Sequence, residues 1–163
     1  MLNRFRLGMV LAAVLAAIFV AGYAVAVHVT PKLASVGQTR YAFASAEDAK
    51  ITTSTSFVTI PNLAIPFGIP SGKTAEVILT FSGSMNGCNL IEVRGTVDGS
   101  AASPSQAQVF WNFGGGADSH SFTFFARGVG SGPHTAAIQW QNPSGCDHAF
   151  ISARSLVLTI NVH

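Results

Sequence analysis

The chain has 163 residues, of which 48% are hydrophobic and only 10% are charged, well below the roughly one quarter that is usual in soluble domains. This length is enough for one domain with a sizeable core. Two of the nine basic residues, Arg4 and Arg6, belong to the first segment, so seven basic and seven acidic residues remain beyond residue 27. The remaining basic residues form no stripe, which argues against a nucleic-acid partner.

The N-terminal segment MLNRFRLGMVLAAVLAAIFVAGYAVA joins a positive start to an uncharged run over residues 7–27 and ends in the triplet Ala24-Val25-Ala26. These features predict a signal peptide over residues 1–26. The apolar run is also long enough for one bilayer crossing, so an uncleaved membrane anchor is the alternative. Because Arg4 and Arg6 keep the N-terminus in the cytoplasm, we expect the rest of the chain to be secreted or extracytoplasmic, anchored by residues 7–27 if uncleaved.

Residues 27–50 are predicted to be a linker, because they are small, polar and Ala-rich with no sustained period. The stretch AFASAEDA within them predicts a short helical turn. The folded domain is expected to span residues 51–163.

Several segments beyond residue 50 alternate apolar and polar residues with a period of two, which is typical of half-buried strands. The clearest are residues 75–82, 89–97 and 134–141, and weaker strands are predicted over 51–60, 62–69, 106–113 and 119–126. Because Pro66 cannot donate to a ladder, the strand 62–69 is expected to lie at a sheet edge or to be broken. The last strand, 149–162, changes phase near Arg154, which predicts a β-bulge there or a strand that runs past the core.

The absence of any helical crossover among these short strands predicts an all-β fold. We expect an antiparallel β-sandwich or jelly roll of seven to eight strands, preceded by an N-terminal hydrophobic helix. The two tryptophans, Trp111 and Trp140, are in phase with the apolar face of their strands and are expected in the core.

The two cysteines, Cys88 and Cys146, both lie in Gly/Asn/Ser-rich loops. In an exported domain they are expected to form a disulfide, since that is their only intramolecular pairing. The predicted strand order places both loops at the same end of the sandwich. Two free thiols are the alternative.

From residue 51 onward the chain resembles a widespread type of secreted bacterial β-sandwich domain of unknown function. The matching stretches are TIPNLAIPFGIPSGKTAEVILTFSGS, VRGTVDG, HSFTFFARGVGSGPHTAAIQWQ and ISARSLVLTIN. The resemblance implies a fold similar to jelly rolls of the complement and tumour-necrosis-factor type and of the carbohydrate-binding type. It implies no functional residues.

Four loop residues are weak candidates for a divalent metal site. Asp118 and His120 flank one loop, and Asp147 and His148 follow Cys146 at the same predicted end. Two histidines and two carboxylates are suitable ligands. The competing interpretation, which we favour, is that all four satisfy turn amides and solvent, with His120 at the rim of the core, so no metal or other cofactor is predicted.

Phe110 and Phe125 are out of phase with the apolar residues of their strands and are expected to point outward. They are predicted to form a partner surface on neighbouring strands, covered by another subunit, by a ligand or by the chain itself. Aromatic platforms also bind glycans, although phenylalanine lacks the polar edge of tryptophan or tyrosine.

The sequence therefore predicts an exported, non-enzymatic module with a binding or assembly role at the cell surface or outside the cell. Its expected partners are a second copy of the chain or a glycan or other cell-surface ligand, and it contacts a membrane only through an uncleaved N-terminal segment. The first alternative is a carbohydrate-binding module. The second is a small secreted hydrolase or metal-dependent enzyme, although the chain has no Gly-x-Ser-x-Gly elbow.

Overall fold

The computed structural model describes residues 39–87, 89–110, 116–145 and 149–163. This part of the chain is all β and contains ten strands. In chain order they are β1 Thr39–Ala46, β2 Lys50–Thr52, β3 Val58–Ile69, β4 Ala75–Gly87, β5 Leu90–Val97, β6 Ser100–Ala101, β7 Ala107–Phe110, β8 Asp118–Val129, β9 Gly132–Gln141 and β10 Ala149–Val162. Within the described ranges, no helix is long and apolar enough to cross a membrane.

The strands form two antiparallel sheets. Sheet A has the order β1-β10-β4-β8, with β2 also paired to β10, and sheet B has the order β3-β9-β5-β6, with β7 also paired to β5. Both β1 with β2 and β6 with β7 act as one interrupted strand along a single neighbour. Eight strand positions therefore remain, four in each sheet, and the chain crosses repeatedly between the sheets. This is the arrangement of a jelly-roll β-sandwich.

The core lies between the sheets and follows the period-two pattern of the strands. Its largest fully buried side chains include Phe81, Phe124 and Trp140, which confirms the predicted core position of Trp140. Phe124 of sheet A packs directly on Gly95 of sheet B, where a Cβ atom would lie 2.8 Å from the Phe124 Cβ. The glycine in VRGTVDG is therefore required by the close approach of the two sheets.

The linker predicted over residues 27–50 is wrong from Thr39 onward, because β1 is a full strand of sheet A. Ala42, Ala44 and Ala46 point inward and are buried, while the residues between them face outward. Since alanine contributes little hydrophobic contrast, this period of two is weak in the sequence. The helical turn predicted within AFASAEDA is wrong for the same reason, and residues 1–38, including the predicted signal or anchor helix, lie outside the described residues.

Two features of the predicted strands are confirmed and one is corrected. Strand β3, which contains Pro66, lies at the edge of sheet B, and the pairing of β10 with β4 shifts between Ile151 and Arg154, as expected for a bulge. The predicted strand 51–60 does not exist as one unit. Its first residues belong to β2 in sheet A, and its last residues open β3 in sheet B, which continues to Ile69.

The strand ends that flank both cysteine-containing loops lie side by side. Strand β4 ends at Gly87 and β10 begins at Ala149, and these two residues are register partners. Asp118, at the start of β8, pairs with Met85 of β4 at the same end. Cys88 and Cys146 themselves lie outside the described residues.

Candidate functional site

The outer face of sheet A carries a row of four serines, one from each of the strands β1, β10, β4 and β8. Ser45 is the register partner of Ser155, Ser155 of Ser82, and Ser82 of Ser121. Directly opposed residues on one face of a sheet have Cβ atoms about 4.5–5.5 Å apart. The row is therefore a continuous line of hydroxyl groups that crosses the full width of the sheet.

A concave pocket of about 450 Å³ lies over this row. A second serine pair, Ser84 and Ser119, extends it by one step along β4 and β8. The pocket exists because its lining side chains are small: six serines, with Ala46, Gly83 and Ala153 beside them. We call this region the serine pocket.

Most of the hydroxyl groups in the serine pocket have no protein partner among the described residues. Ser82 Oγ donates to Ser121 Oγ at 3.1 Å, and Ser121 Oγ donates to the Phe81 carbonyl at 3.0 Å. The other four serines of the pocket make no side-chain hydrogen bond within the described ranges. Their hydroxyl groups are therefore available to solvent or to a ligand, both as donors and as acceptors.

One end of the serine pocket is fixed by Arg154, whose side chain is 0% exposed. Its Nη2 donates to Asp48 Oδ1 at 2.9 Å and to the Pro61 carbonyl at 3.1 Å, and its Nη1 donates to the Asp48 carbonyl. A hydrogen bond from Lys50, followed by the contact with Arg154, lowers the pKa of Asp48. Arg154 thus holds the β1–β2 connection against strand β3. This connection contributes Glu47 to the pocket rim.

An apolar band adjoins the serine row on the same face. Phe43 is the register partner of Val157, two residues along from the Ser45–Ser155 pair, and Tyr41 follows on β1. All three side chains are exposed, Tyr41 to 49%. Exposed rings next to a line of hydroxyl groups form a surface that is apolar on one side and hydrogen bonding on the other.

The outer face of sheet B has a different chemistry, centred on Glu92, which is only 7% exposed. Glu92 Oε1 accepts from Gln106 Nε2 at 3.0 Å and from Gln108 Nε2 at 2.7 Å, and Oε2 accepts from Gln141 Nε2. A buried carboxylate is costly unless it is hydrogen bonded. These three glutamines are therefore engaged in keeping Glu92 satisfied.

Arg94, on the same outer face of sheet B, is also engaged within the protein. Its Nε donates to Gln139 Oε1 at 2.8 Å, and its guanidinium lies 4.0 Å from the centre of the Phe57 ring. This geometry is that of a cation–π contact. The polar groups of this face thus bond mainly to one another.

Two of the four weak metal candidates, Asp118 and His120, lie in the described residues. Asp118 is exposed at the start of β8, while the His120 ring stacks on Phe122 with centroids 6.2 Å apart, at the rim of the core. Asp147 and His148 lie outside the described residues. Within the described ranges, no three His, Cys, Asp or Glu side chains converge in a way that could hold a metal ion.

Phe110 and Phe125 both point outward, exposed to 69% and 43%, but they do not share a surface. Phe110 is on β7 of sheet B, whereas Phe125 is on β8 of sheet A. The predicted partner surface across neighbouring strands is therefore wrong. The two segments are consecutive in the chain, but the jelly-roll crossover places them in opposite sheets.

No protein-family model matches the chain, and no curated protein matches it. Solved structures of similar fold include the CBM36-1 domain of a multidomain xylanase from the hindgut metagenome of Trinervitermes trinervoides. That domain is 16% identical to this chain with a TM-score of 0.40, and the match covers 74% of this chain and 95% of that one. The EclA C-terminal domain, described as a sugar-binding protein, is 12% identical with a TM-score of 0.40, covering 77% and 83% of the two chains. The structure of the infectious bursal disease virus Gx strain is 16% identical with a TM-score of 0.43, and the match covers 83% of this chain and 37% of that one. At these identities and TM-scores the likeness carries no argument about function.

Proposed function

We propose that this protein is an exported, non-enzymatic binding module that holds a neutral, hydroxyl-rich ligand, a glycan, in the serine pocket. The observation that carries this proposal is the row of four serines in register across sheet A. Four of the six serine hydroxyl groups in the pocket make no side-chain hydrogen bond to the described protein. Ser45 and Ser155 are neighbours within the row, and Ser84 and Ser119 form the second pair, so the pocket offers two adjacent pairs of donors and acceptors to the hydroxyl groups of a sugar chain.

The apolar band completes the match to a glycan. Sugar rings present C–H groups on their faces and hydroxyl groups at their edges. A ring resting on Phe43 and Val157 places its hydroxyl groups toward the serine row. Ligand sites commonly combine apolar contact area with a small number of placed polar groups.

The charges at the pocket favour a neutral ligand. Arg154 is buried and its hydrogen bonds are used by Asp48 and Pro61. Glu47, at the rim, is exposed and disfavours an anionic ligand. A neutral polyhydroxylated molecule meets neither an unpaired buried charge nor electrostatic repulsion.

The proposal of a binding role, and not of glycoside hydrolysis, rests on the carboxylates that line the described part of the pocket. Glycosidases generally use two carboxylates that flank the scissile bond. Glu47 is the one carboxylate among the described residues that line this pocket.

Export is part of the proposal and rests on the N-terminal sequence, in which Arg4 and Arg6 precede the uncharged run 7–27. The expected location is outside the cytoplasm, either as the mature chain after cleavage at Ala26 or as an anchored chain. N-terminal sequencing of the natural product separates these two forms. A start at Met1 in the envelope fraction identifies the anchor.

The test of the ligand site is a glycan array followed by calorimetric titration of the best-bound glycan. The Ser45→Ala, Ser155→Ala double variant removes two hydroxyl groups without adding bulk. Each lost hydrogen bond is worth about 0.5–1.5 kcal/mol, so the loss of two is expected to lower affinity about fivefold or more. The control is Thr59→Ala, which removes an exposed hydroxyl group from the outer face of sheet B. An array with no bound glycan, or equal affinities in the double variant and the parent, contradicts the proposal.

Self-association through the apolar band is the second candidate function. It is favoured by the grouping of Tyr41 and Phe43 on the edge strand β1 of sheet A with Val157 on its neighbour β10. Light scattering of the parent and of Phe43→Ser tests it. A parent dimer that becomes monomeric in the variant, together with an empty glycan array, selects this function.

A further inference from the structure

A second cleft, of about 540 Å³, lies along one open side of the sandwich, away from the serine row. One wall is the segment from Val97 to Ser103, at the edge of sheet B, and the other is the stretch from Phe125 to Val129 in β8 of sheet A. Val97 and Ala102 are buried at its base, and Arg127 is exposed at its rim. The cleft therefore combines an apolar floor with one cationic group.

One end of the cleft is closed by backbone hydrogen bonds. Ser103 N donates to the Phe125 carbonyl at 2.8 Å, and Phe125 N donates to the Ser103 carbonyl at 2.7 Å. These bonds join the two walls and contain no titratable group. This end of the cleft is expected to be insensitive to pH.

At the other end His134 contacts both chain segments, beside the backbone hydrogen bond that Asp98 N donates to the Thr135 carbonyl oxygen at 2.9 Å. The His134 Nδ1 lies 2.6 Å from Asp98 Oδ2, and its Nε2 lies 2.9 Å from the Gly130 carbonyl oxygen. Asp98 follows Val97 at the end of the first wall, and Gly130 follows Val129 at the end of the second. His134 therefore bridges the two walls.

This bridge requires a protonated imidazole. A backbone carbonyl and a carboxylate can only accept, so both ring nitrogens must donate, and a neutral imidazole has only one N–H. Asp98 is itself held in place, since its Oδ1 accepts from Thr135 N at 2.8 Å. Asp98 is the charged group that acts on the ring; strand β3 contributes the uncharged Phe67 ring, 5.3 Å away.

The pKa shifts agree with this geometry. The hydrogen bond to Asp98 raises the pKa of His134, and the hydrogen bond from His134 lowers the pKa of Asp98. The lowered pKa of Asp98 favours its ionised form. The bridge is fully present below about pH 6.5, the ordinary pKa of histidine, and it is lost as pH rises through the higher pKa of His134 in the folded protein.

We propose that this cleft binds small apolar molecules that carry one anionic group, and that the His134 bridge holds its two walls at binding distance. The apolar part of the ligand covers Val97, Ala102 and Val129. The anionic group of the ligand forms an ion pair with Arg127. In the structure Arg127 Nε lies 3.7 Å from Glu76 Oε1, in an ion pair at the surface. Such exposed pairs contribute little stability and exchange readily for another anion.

The test is fluorescence titration with the dye 1-anilinonaphthalene-8-sulfonate, whose sulfonate remains ionised throughout. Affinity is expected to fall at least about fivefold between pH 5.5 and pH 9, the lower end of usual coupling between two sites. His134→Asn should bind with the same affinity at both pH values. Arg127→Gln should bind more weakly at both, with the parent's dependence on pH.

Two further variants locate the dye. Ser100→Phe, which places a ring beside its register partner Val97 in the cleft, should abolish binding, whereas Phe110→Ser, an exposed ring on β7 away from the cleft, should leave it unchanged. Loss of binding in Phe110→Ser but not in Ser100→Phe places the dye elsewhere and overturns the proposal. So does a parent that binds no dye at pH 5.5, or an unchanged pH dependence in His134→Asn. None of these results bears on glycan binding in the serine pocket.

Discussion

The two outer faces of the sandwich use their polar side chains in opposite ways. On sheet B, the Glu92 carboxylate accepts from three glutamines, and Arg94 is held by Gln139 and Phe57. On sheet A, short serine side chains line a hollow and four of their hydroxyl groups have no side-chain hydrogen bond in the described protein. The difference teaches that polar composition alone does not mark a binding face. What matters is whether the polar groups are already satisfied.

The largest expected effect concerns two arginines, Arg154, which is buried beneath sheet A, and Arg94, which lies on the outer face of sheet B. Arg154→Met removes the donor that serves Asp48 and two carbonyl groups, which is expected to cost about 1–3 kcal/mol of unfolding free energy for each carbonyl group left unsatisfied. Arg94→Met removes one half-buried hydrogen bond and a cation–π contact, at about 1–2 kcal/mol. Urea unfolding of both variants measures the difference. An Arg94→Met variant that is as destabilised as Arg154→Met contradicts the assignment of Arg154 as the fixed wall of the serine pocket.

The next effect concerns the predicted disulfide, which would add a covalent tie at one end of sheet A only. The flanking residues Gly87 and Ala149 are register partners, which supports a bond between Cys88 and Cys146. Replacing both cysteines by alanine is expected to cost about 2–4 kcal/mol. A thiol reagent should form no adduct with the denatured, unreduced parent. Two adducts per chain would show that the cysteines are free.

A smaller effect separates structure from binding on sheet B. Glu92→Gln removes the charged acceptor from three amides and is expected to cost about 1–3 kcal/mol. Glycan affinity should be unchanged, because the serine pocket is on the other sheet. Glu76→Gln is the control, since its exposed pair with Arg127 is worth at most about 1 kcal/mol. A glycan affinity that falls in Glu92→Gln would move the binding face to sheet B.

The sequence predicts the strands better than it predicts the faces. Alternation identifies the half-buried strands and the bulge before Arg154, and Pro66 identifies an edge strand. These features can be predicted because each is encoded by residues that are close together in the sequence. Strand β1 was missed because its inward residues are alanines, whose hydrophobic signal is weak.

The serine row was missed for a different reason. Ser45, Ser82, Ser121 and Ser155 come from four distant segments, and only the order of strands in sheet A brings them into register. The available signal is the alternation of serines in FSGS and SHS, on the outward positions of their strands. The error over Phe110 and Phe125 has the same origin, since consecutive strands of a jelly roll often belong to different sheets.

The most direct test of the central claim is an NMR titration of the isotopically labelled protein with the best glycan from the array. Backbone amide shifts are expected to change at the serine row, at Ser45, Ser82 and Ser155, and at the adjoining Phe43. The amides of Glu92, Gln108 and Gln141 on sheet B are expected to stay unchanged. Shifts that change on sheet B and not at the serine row would contradict the claim that the outer face of sheet A is the binding face.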